Sequence, residues 1–563
     1  MRITKIELAL SLGGFTMLFL ALAIYARGGP VSTDVFWYAN VGLNGIKDTF
    51  ILNRYFHVYL EKLFIELAPN PLAGLQYFWA FLIAFTSLLI YLCARLFSKQ
   101  SNVIHGVLAV LMFFSLGSIA ETAGNPIVDL TAMAMGMVIV GVYLISAHFS
   151  HRYSWLIAIL GLLTFLAFRT KETVIATSVL LVSLGITDGE IFNFRHFARK
   201  MIWIAVGITA GIAFMAILSG LILRDPAFGL RGSEFRQFLS TYVLGAAMAQ
   251  EQPNLTNWFT AYWFGALWIP FSFYLISGIK ASSVLEFSRR LVWMVPLVII
   301  AFVIISVGDQ WGYQTRFVIP ALPVICFLAP QFLIFDIPNT KREQVLLALL
   351  GAGTIGAVLL VPLVMRSAVP ALGMDLMLFV SKTFIPLIFV LILGFIFLSR
   401  RVTAKTNIVI GALVLATLMS PVISNFKVLF LYRPHPNLLF IEKQVYPFSS
   451  FSNQIRFSPG MRMYVSFQVW GTIGNFYYTK NIDELLSLFN IYFDANSTRD
   501  NFTYLENTSA SSDDILSLEY DYVLLANNEW QLLSQDAETY SRIEEQYSAF
   551  FDDRDILALL VRR

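Results

Sequence analysis

Charged side chains are scarce in this chain, and the informative ones stand at the ends of long apolar runs. Asp34 follows the first run, inside Val31-Ser32-Thr33-Asp34-Val35-Phe36-Trp37-Tyr38. A second polar stretch, Asn53-Arg54-Tyr55-Phe56-His57-Val58-Tyr59-Leu60-Glu61, comes shortly after it. Glu121, Asn125, Pro126 and Asp129 share one turn, and Arg169-Thr170-Lys171-Glu172 form another. A further polar segment, Asp309 to Phe317, carries Arg316 ahead of Pro320 and Pro323. Carboxylates in such places can take up a proton, and Arg and Lys can hold an anion. Each segment alone has a plainer explanation. A helix-end Lys or Arg snorkels to the interface, and Trp, Tyr and Arg anchor a chain at the membrane surface. The coincidence of several turns offering acids and bases at one depth points further, because charge near hydrocarbon is expensive and marks function when it is kept.

The elements that position these residues are membrane helices. Of 563 residues, 57% are hydrophobic and 13% charged, against about 25% charged in soluble domains. The apolar residues fall into blocks near 6–26, 75–97, 103–120, 130–147, 153–168, 173–187, 201–222, 261–279, 291–307, 317–335, 345–365, 376–399 and 406–424. These predict about thirteen transmembrane helices. The doublets Arg289-Arg290, Lys341-Arg342 and Arg400-Arg401 all fall on one side of that topology. The positive-inside rule makes this side cytoplasmic, with a cytoplasmic N-terminus and the C-terminus outside. Arg2 and Lys5 before an apolar run resemble a signal peptide, but the run is long enough to span and is read as an uncleaved first helix. The expected architecture is an all-α polytopic bundle over 1–424, with an outer loop at 27–74, followed by a small extracytoplasmic α/β domain over 425–563. In that last region Met463–Gln468 reads as a strand, Ile482–Phe489 as a helix, Tyr520–Leu525 as a buried strand, Asn528–Tyr547 as a polar helix and Ile556–Val561 as a final strand.

Asp34 just past the first helix, the Arg54/His57 stretch, the Asn125–Asp129 turn, the Arg169–Glu172 run and Arg316-Phe317 with Pro320 together resemble the GT-C glycosyltransferases. The branch they are most similar to contains protein O-mannosyltransferases and the lipid A aminoarabinose transferase. The resemblance covers most of the chain, on short motifs. It implies transfer of a sugar from a polyprenyl-phosphate carrier to a glycan, lipid or protein acceptor outside the cytoplasm. It also implies that Asp34 is the general base, that Arg54, His57, Arg169, Lys171 and Arg316 contact the donor, and that Asp129 and Glu172 orient the sugar or neighbouring bases. Asp34 is not part of an Asp-x-Asp pair, unlike in the metal-dependent members, so no metal or other cofactor is expected. The reaction suits the residues. Glycoside hydrolysis needs a second carboxylate to protonate its leaving group. A phosphate leaves without that help, so one base and a set of cations suffice.

Two other readings share parts of this pattern. An oligosaccharide ligase or polymerase using lipid-diphosphate donors would share the basic outer loops. A secondary transporter would show internal repeats and mid-membrane charges, and neither is seen in the sequence. Nothing indicates a nucleic-acid partner: the net charge is +3 and there is no basic tract. Cys93 and Cys326 both lie in predicted membrane helices and read as packing residues, with no disulfide framework. Sequons at Asn254, Asn496, Asn501 and Asn507 fall outside the cytoplasm in this topology, and a bacterial inner membrane is the expected location.

Overall fold

The computed structural model describes residues 3–26, 54–69, 71–97, 101–148, 154–185, 193–223, 268–281, 287–307, 315–332, most of 414–430, 462–465, 502–504, 520–551 and 557–563, with Val35, Tyr38, Ala39, Gly42 and Pro226 between them. The blocks expected at 345–365 and 376–399, and the helix expected at Ile482–Phe489, lie outside the described residues.

The first half of the chain is a succession of antiparallel apolar helices. They are α1 (Lys5–Tyr25), α2 (Tyr55–Leu67), α3 (Pro71–Phe97), α4 (Val103–Phe114), α5 (Gly117–Glu121), α6 (Val128–His148), α7 (Ser154–Phe168) and α8 (Phe194–Leu223), with a long 3-10 helix, Glu172–Gly185, between α7 and α8. Then come α9 (Trp268–Ala281), α10 (Phe287–Val307), a 3-10 helix at Thr315–Ala321 and the short α11 (Leu322–Leu328). Four described stretches are long and apolar enough to cross a bilayer: Lys5–Tyr25, Ala73–Phe97, Val128–Ala147 and Phe197–Leu221. The protein is a multi-pass integral membrane protein. Ile6, Leu10, Met17 and Ile24 on α1, and Ile202, Val206, Ile217 and Leu221 on α8, lie open on the surface, as lipid-facing side chains should.

Two expected helices take another form. The block at 173–187 is a 3-10 helix rather than an α-helix. The block at 317–335 begins as 3-10, is α-helical only over Leu322–Leu328, and ends as 3-10. Pro320 in the first 3-10 stretch and Pro330 in the last explain the second case, since each removes a backbone donor and crowds the preceding turn. The block at 103–120 is also shorter, ending at Phe114 before Ser115 folds its hydroxyl back onto Met112 O at 2.6 Å.

Polar contacts fix which helix ends lie together. At one end, Arg95 of α3 pairs with Glu7 of α1 at 2.5 Å and donates to Ser101 O, and Ser101 Oγ donates to Gln331 at 2.8 Å. At the other end, Gln76 Nε2 donates to Leu22 O at 3.1 Å, and Asn425 Nδ2 donates to Phe114 O at 2.9 Å. Small residues let the helices close up. A Cβ on Gly207 of α8 would lie 1.8 Å from Ala158 O, and one on Gly161 of α7 would lie 2.3 Å from Ile204 O, so both glycines are required by this close crossing.

The C-terminal region forms a five-stranded sheet of order β2-β1-β3-β5-β4. Its strands are β1 (Met463–Val465), β2 (Phe502–Tyr504), β3 (Tyr522–Ala526), β4 (Tyr547–Phe551) and β5 (Leu557–Arg562). β1 runs parallel to β2 and β3, and β5 runs antiparallel to β3 and β4, with Leu524 opposite Leu559 and Val523 opposite Leu560. Alternation sorts the two faces. Val523, Leu525 and Leu560 pack with Trp530 and Ile543, while Tyr522, Leu524 and Leu559 belong to the same apolar core as the membrane helices. The single polar helix expected at Asn528–Tyr547 is two helices, α12 (Asn527–Gln535) and α13 (Ala537–Gln546). Asp536 breaks it by capping Thr539 with its carboxylate. From Tyr547 the chain is strand β4, which the sequence reading did not anticipate.

Candidate functional site

The site is built where α2, the start of α6 and the turn after α7 meet. Its first component is the turn before α6. Asn125 N donates to Thr122 O and Ile127 N to Asn125 O, both at 2.8 Å. Gly124 sits at φ 71°, a left-handed conformation that a side chain would strain. The turn delivers Asp129 to the first turn of α6, where a carboxylate favours the positive end of the helix.

Facing it is the turn at the end of α7. Thr170 Oγ1 donates to Leu166 O at 2.9 Å, and Lys171 N to Ala167 O at 2.9 Å. These bonds end the helix and aim Lys171 inward. Lys171 Nζ donates to Asp129 Oδ1, and the two residues are 3% and 1% exposed. With burial this deep, the pairing of each charge with the other is what offsets the cost of taking them from water. Next to it, the Arg169 guanidinium lies over the Tyr55 ring, 5.7 Å from its centroid. Arg169 O accepts from Phe56 N at 3.3 Å.

The third component is α2. Arg54 precedes the helix, donates to the Tyr38 hydroxyl and lies 5.8 Å from the Tyr38 ring centroid. His57 is 0% exposed, its Nδ1 is 2.8 Å from Thr131 Oγ1 on α6, and its ring meets Tyr38 edge-on at 5.0 Å. Tyr59 bonds Ser219 on α8 at 2.8 Å. Anchoring at the membrane surface, the plainer explanation of this stretch, would leave these side chains open. Tyr55, His57, Val58, Tyr59, Glu61 and Ile65 are instead enclosed by protein, and only the far side, with Leu63 and Leu67, is open. Gly74 allows this docking, since a Cβ there would lie 2.5 Å from Ile65 Cα.

α2 covers 13 residues, about 20 Å of helix, too short to cross the hydrocarbon. Burial pushes the His57 imidazole down to about 3, with Arg54 and Lys171 adding to the effect. His57 is therefore neutral near pH 7. Burial also pushes the Glu61 carboxyl well above the usual carboxylate range.

Arg54, His57, Asp129, Arg169 and Lys171 are thus brought together from segments far apart in sequence, at the helix ends opposite Arg95 and Glu7. Arg316 opens the 3-10 helix Thr315–Ala321, which packs against α6, and is half-buried. Glu172 opens the long 3-10 helix beside Lys171. Asp34 lies outside the described residues. Among the described residues, no three His, Cys, Asp or Glu side chains gather as metal ligands. The sequence reading assigned no role to Glu61 or Thr131. The signal for Glu61 was its spacing: four residues from His57 and four from Ile65, it falls on the buried stripe of α2.

No sequence-family profile matches the chain, and no curated protein sequence matches it. Solved structures do. ArnT from Cupriavidus metallidurans bound to undecaprenyl phosphate superposes with a TM-score of 0.54 at 11% identity, over 99% of this chain and 98% of that one. The same enzyme in the apo state gives 0.52 at 12% identity, over 98% and 97%. An Archaeoglobus fulgidus oligosaccharyltransferase gives 0.41 at 11% identity, over 96% of this chain and 72% of that one. The chain shares the fold of ArnT along nearly the whole length of both chains.

Proposed function

We propose that the protein is a membrane glycosyltransferase, moving a sugar from a polyprenyl-phosphate donor to an acceptor hydroxyl on the non-cytoplasmic face. One observation carries the reading: Arg54, Arg169 and Lys171 converge at one end of a fold shared with an enzyme whose structure holds undecaprenyl phosphate. Arg and Lys side chains grouped in this way suit a phosphate, and a lipid-linked phosphate brings one to this depth.

In this reaction Asp34 takes the proton of the acceptor hydroxyl as its oxygen attacks the anomeric carbon. The bond from that carbon to the phosphate oxygen breaks on the opposite side, its electron pair stays with the phosphate, and configuration inverts. Arg54, Arg169, Lys171 and Arg316 stabilise the departing phosphate. Asp129 holds Lys171 in place, neutral His57 hydrogen-bonds without adding charge, and Glu172 orients the sugar. The acceptor is a glycan, lipid or protein. The membrane part is residues 1–424 and residues 425–563 form an extracytoplasmic domain, with the N-terminus in the cytoplasm of a bacterial cell. The positive doublets support this orientation.

The test is transfer from a polyprenyl-phosphate sugar by the purified protein in vesicles, read by mass spectrometry of the glycosylated products. Asp34→Asn keeps size and hydrogen bonding but removes basicity, and transfer is expected to fall by at least about 10²-fold. An Asn variant as active as wild type would remove Asp34 from the mechanism. A wild-type protein that leaves every polyprenyl-phosphate donor intact would overturn the reading itself.

A further inference from the structure

Glu61 is the one fully buried acid on α2, one turn along from His57. Neither of its oxygens has a hydrogen-bond partner among the described residues, and His57 Nε2 has none either. These orphaned atoms face each other at 3.8 Å. That separation is too long for a hydrogen bond, by about 1 Å. A charged carboxylate in this place would be unsatisfied and very costly, whereas the acid form needs one acceptor. The imidazole offers one. His57 Nδ1 is already engaged with Thr131 Oγ1 at 2.8 Å, so a ring carrying its proton on Nδ1 donates to Thr131 and presents a bare Nε2 to Glu61. The two neutral groups are complementary, and burial holding both neutral agrees with this.

Thr131 lies two residues beyond Asp129 in the first turn and a half of α6, and Asp129 holds Lys171. A rigid α2–α6 contact at His57 therefore sets the relative place of Arg54, on the one side, and of the Asp129–Lys171 pair, on the other. We propose that Glu61 is the positioning residue of this site: as a neutral acid it donates to His57 Nε2, fixes the imidazole on Thr131, and so holds α2 in register with the head of α6. The contact closes from its open separation when the donor fills the site, as active-site hydrogen bonds commonly tighten on binding. No proton is transferred in this role. The inference rests on the glycosyltransferase reading for its functional consequence, but not for the His57–Glu61 contact itself.

Two readouts test it on the full-length protein in vesicles. Glu61→Leu keeps the volume and removes the donor, and turnover is expected to fall at least about tenfold, since misplacement by about 1 Å costs up to about 10²-fold. Glu61→Gln restores a neutral donor and is expected to recover activity to within about threefold of wild type. In a His57→Gln background the loss from Glu61→Leu should vanish, because coupled residues are not additive. An equal loss in both backgrounds would make Glu61 a packing residue only and overturn the proposal. The second readout is the 15N spectrum of histidine-labelled protein, with His57 assigned by its disappearance in His57→Gln. Its unprotonated nitrogen should shift in Glu61→Leu and stay near its wild-type position in Glu61→Gln, and an unmoved resonance in Glu61→Leu sinks the proposal. If Glu61→Leu does not accumulate, Glu61→Asp, which withdraws the acid by one methylene, replaces it with the same expected outcomes. Absence of sugar transfer by wild type would defeat the functional reading, and the His57 resonance then decides the positioning role alone.

Discussion

Removing one partner of the Lys171–Asp129 pair should harm the protein more than removing both. The two side chains are 3% and 1% exposed and bonded to each other. Lys171→Met fills the space of the lysine stem but leaves Asp129 buried beside an apolar neighbour. Breaking a buried ion pair in this way costs about 3–5 kcal/mol. For a chain of this size that is a fall of the thermal midpoint on the order of 5 °C. The double variant, Lys171→Met with Asp129→Leu, leaves no unpaired charge and should regain most of that stability. Transfer activity behaves differently, because the proposed phosphate site needs the cation: it should be lost in the single and in the double variant alike. Thermal unfolding in detergent, followed by a fluorescent thiol probe or by loss of monodisperse protein, gives the first quantity. Transfer from a polyprenyl-phosphate sugar gives the second. A double variant no more stable than Lys171→Met would refute the argument that pairing is what makes the two charges tolerable. A double variant that is stable and active would separate Lys171 from donor binding.

Three further outcomes follow from the same geometry. Arg316→Lys keeps the charge but loses the planar fork. It should weaken donor use, and Arg316→Ala should nearly abolish it, in measured donor dependence; equal dependence in all three proteins would make Arg316 an anchor. His57 is held neutral down to about pH 3, while an unfolded histidine takes up a proton below about pH 6.5. Between those values the unfolded state binds more protons, so stability is lost as pH falls. From pH 6.5 to 5 this is on the order of 2 kcal/mol, and His57→Gln should show a correspondingly smaller drop in thermal midpoint over that range. Reporter fusions after Arg290 and after Arg563 should report opposite sides of the membrane, and the same side for both would contradict the proposed topology.

The sequence made the membrane class and much of the candidate site legible, for a physical reason in each case. Apolar runs at α3, α6 and α8 are long enough to show their nature without knowledge of their neighbours. Arg54, His57, Asp129, Arg169 and Lys171 stood out because charge is rare in such surroundings. What linked them was not legible. The Asp129–Lys171 pair joins residues on different segments, and the His57–Thr131 contact joins α2 to α6. Neither leaves a trace in local spacing. Glu61 was visible as a residue but not as a member of the site, since only the docking of α2 shows which of its faces is enclosed. The 3-10 form of Glu172–Gly185 was hidden for a different reason, because composition reports apolarity and not the pitch at which the backbone winds. The split of the polar helix at Asp536 was in principle readable, as Asp is a favoured N-cap and Glu538 puts an acid in the first turn after it.

The long 3-10 helix changes the relation between residue count and distance. Its 14 residues extend about 28 Å, at about 2.0 Å each. Wound as an α-helix they would reach only about 21 Å. The stretch therefore covers nearly the full hydrocarbon thickness of about 30 Å on an unusually short piece of chain. Its phase is also different. With three residues per turn, Val174, Thr177 and Leu180 fall in one straight file instead of winding around the axis, and they continue the line of Lys171, just before the helix, whose carbonyl accepts from Val174 N at 3.2 Å; all four are buried. Insertions and deletions should obey that arithmetic. One added residue would turn everything beyond it by a third of a revolution and pull the Lys171 file out of line with the helices it faces. Three added residues would lengthen the segment by about 6 Å but leave the file intact.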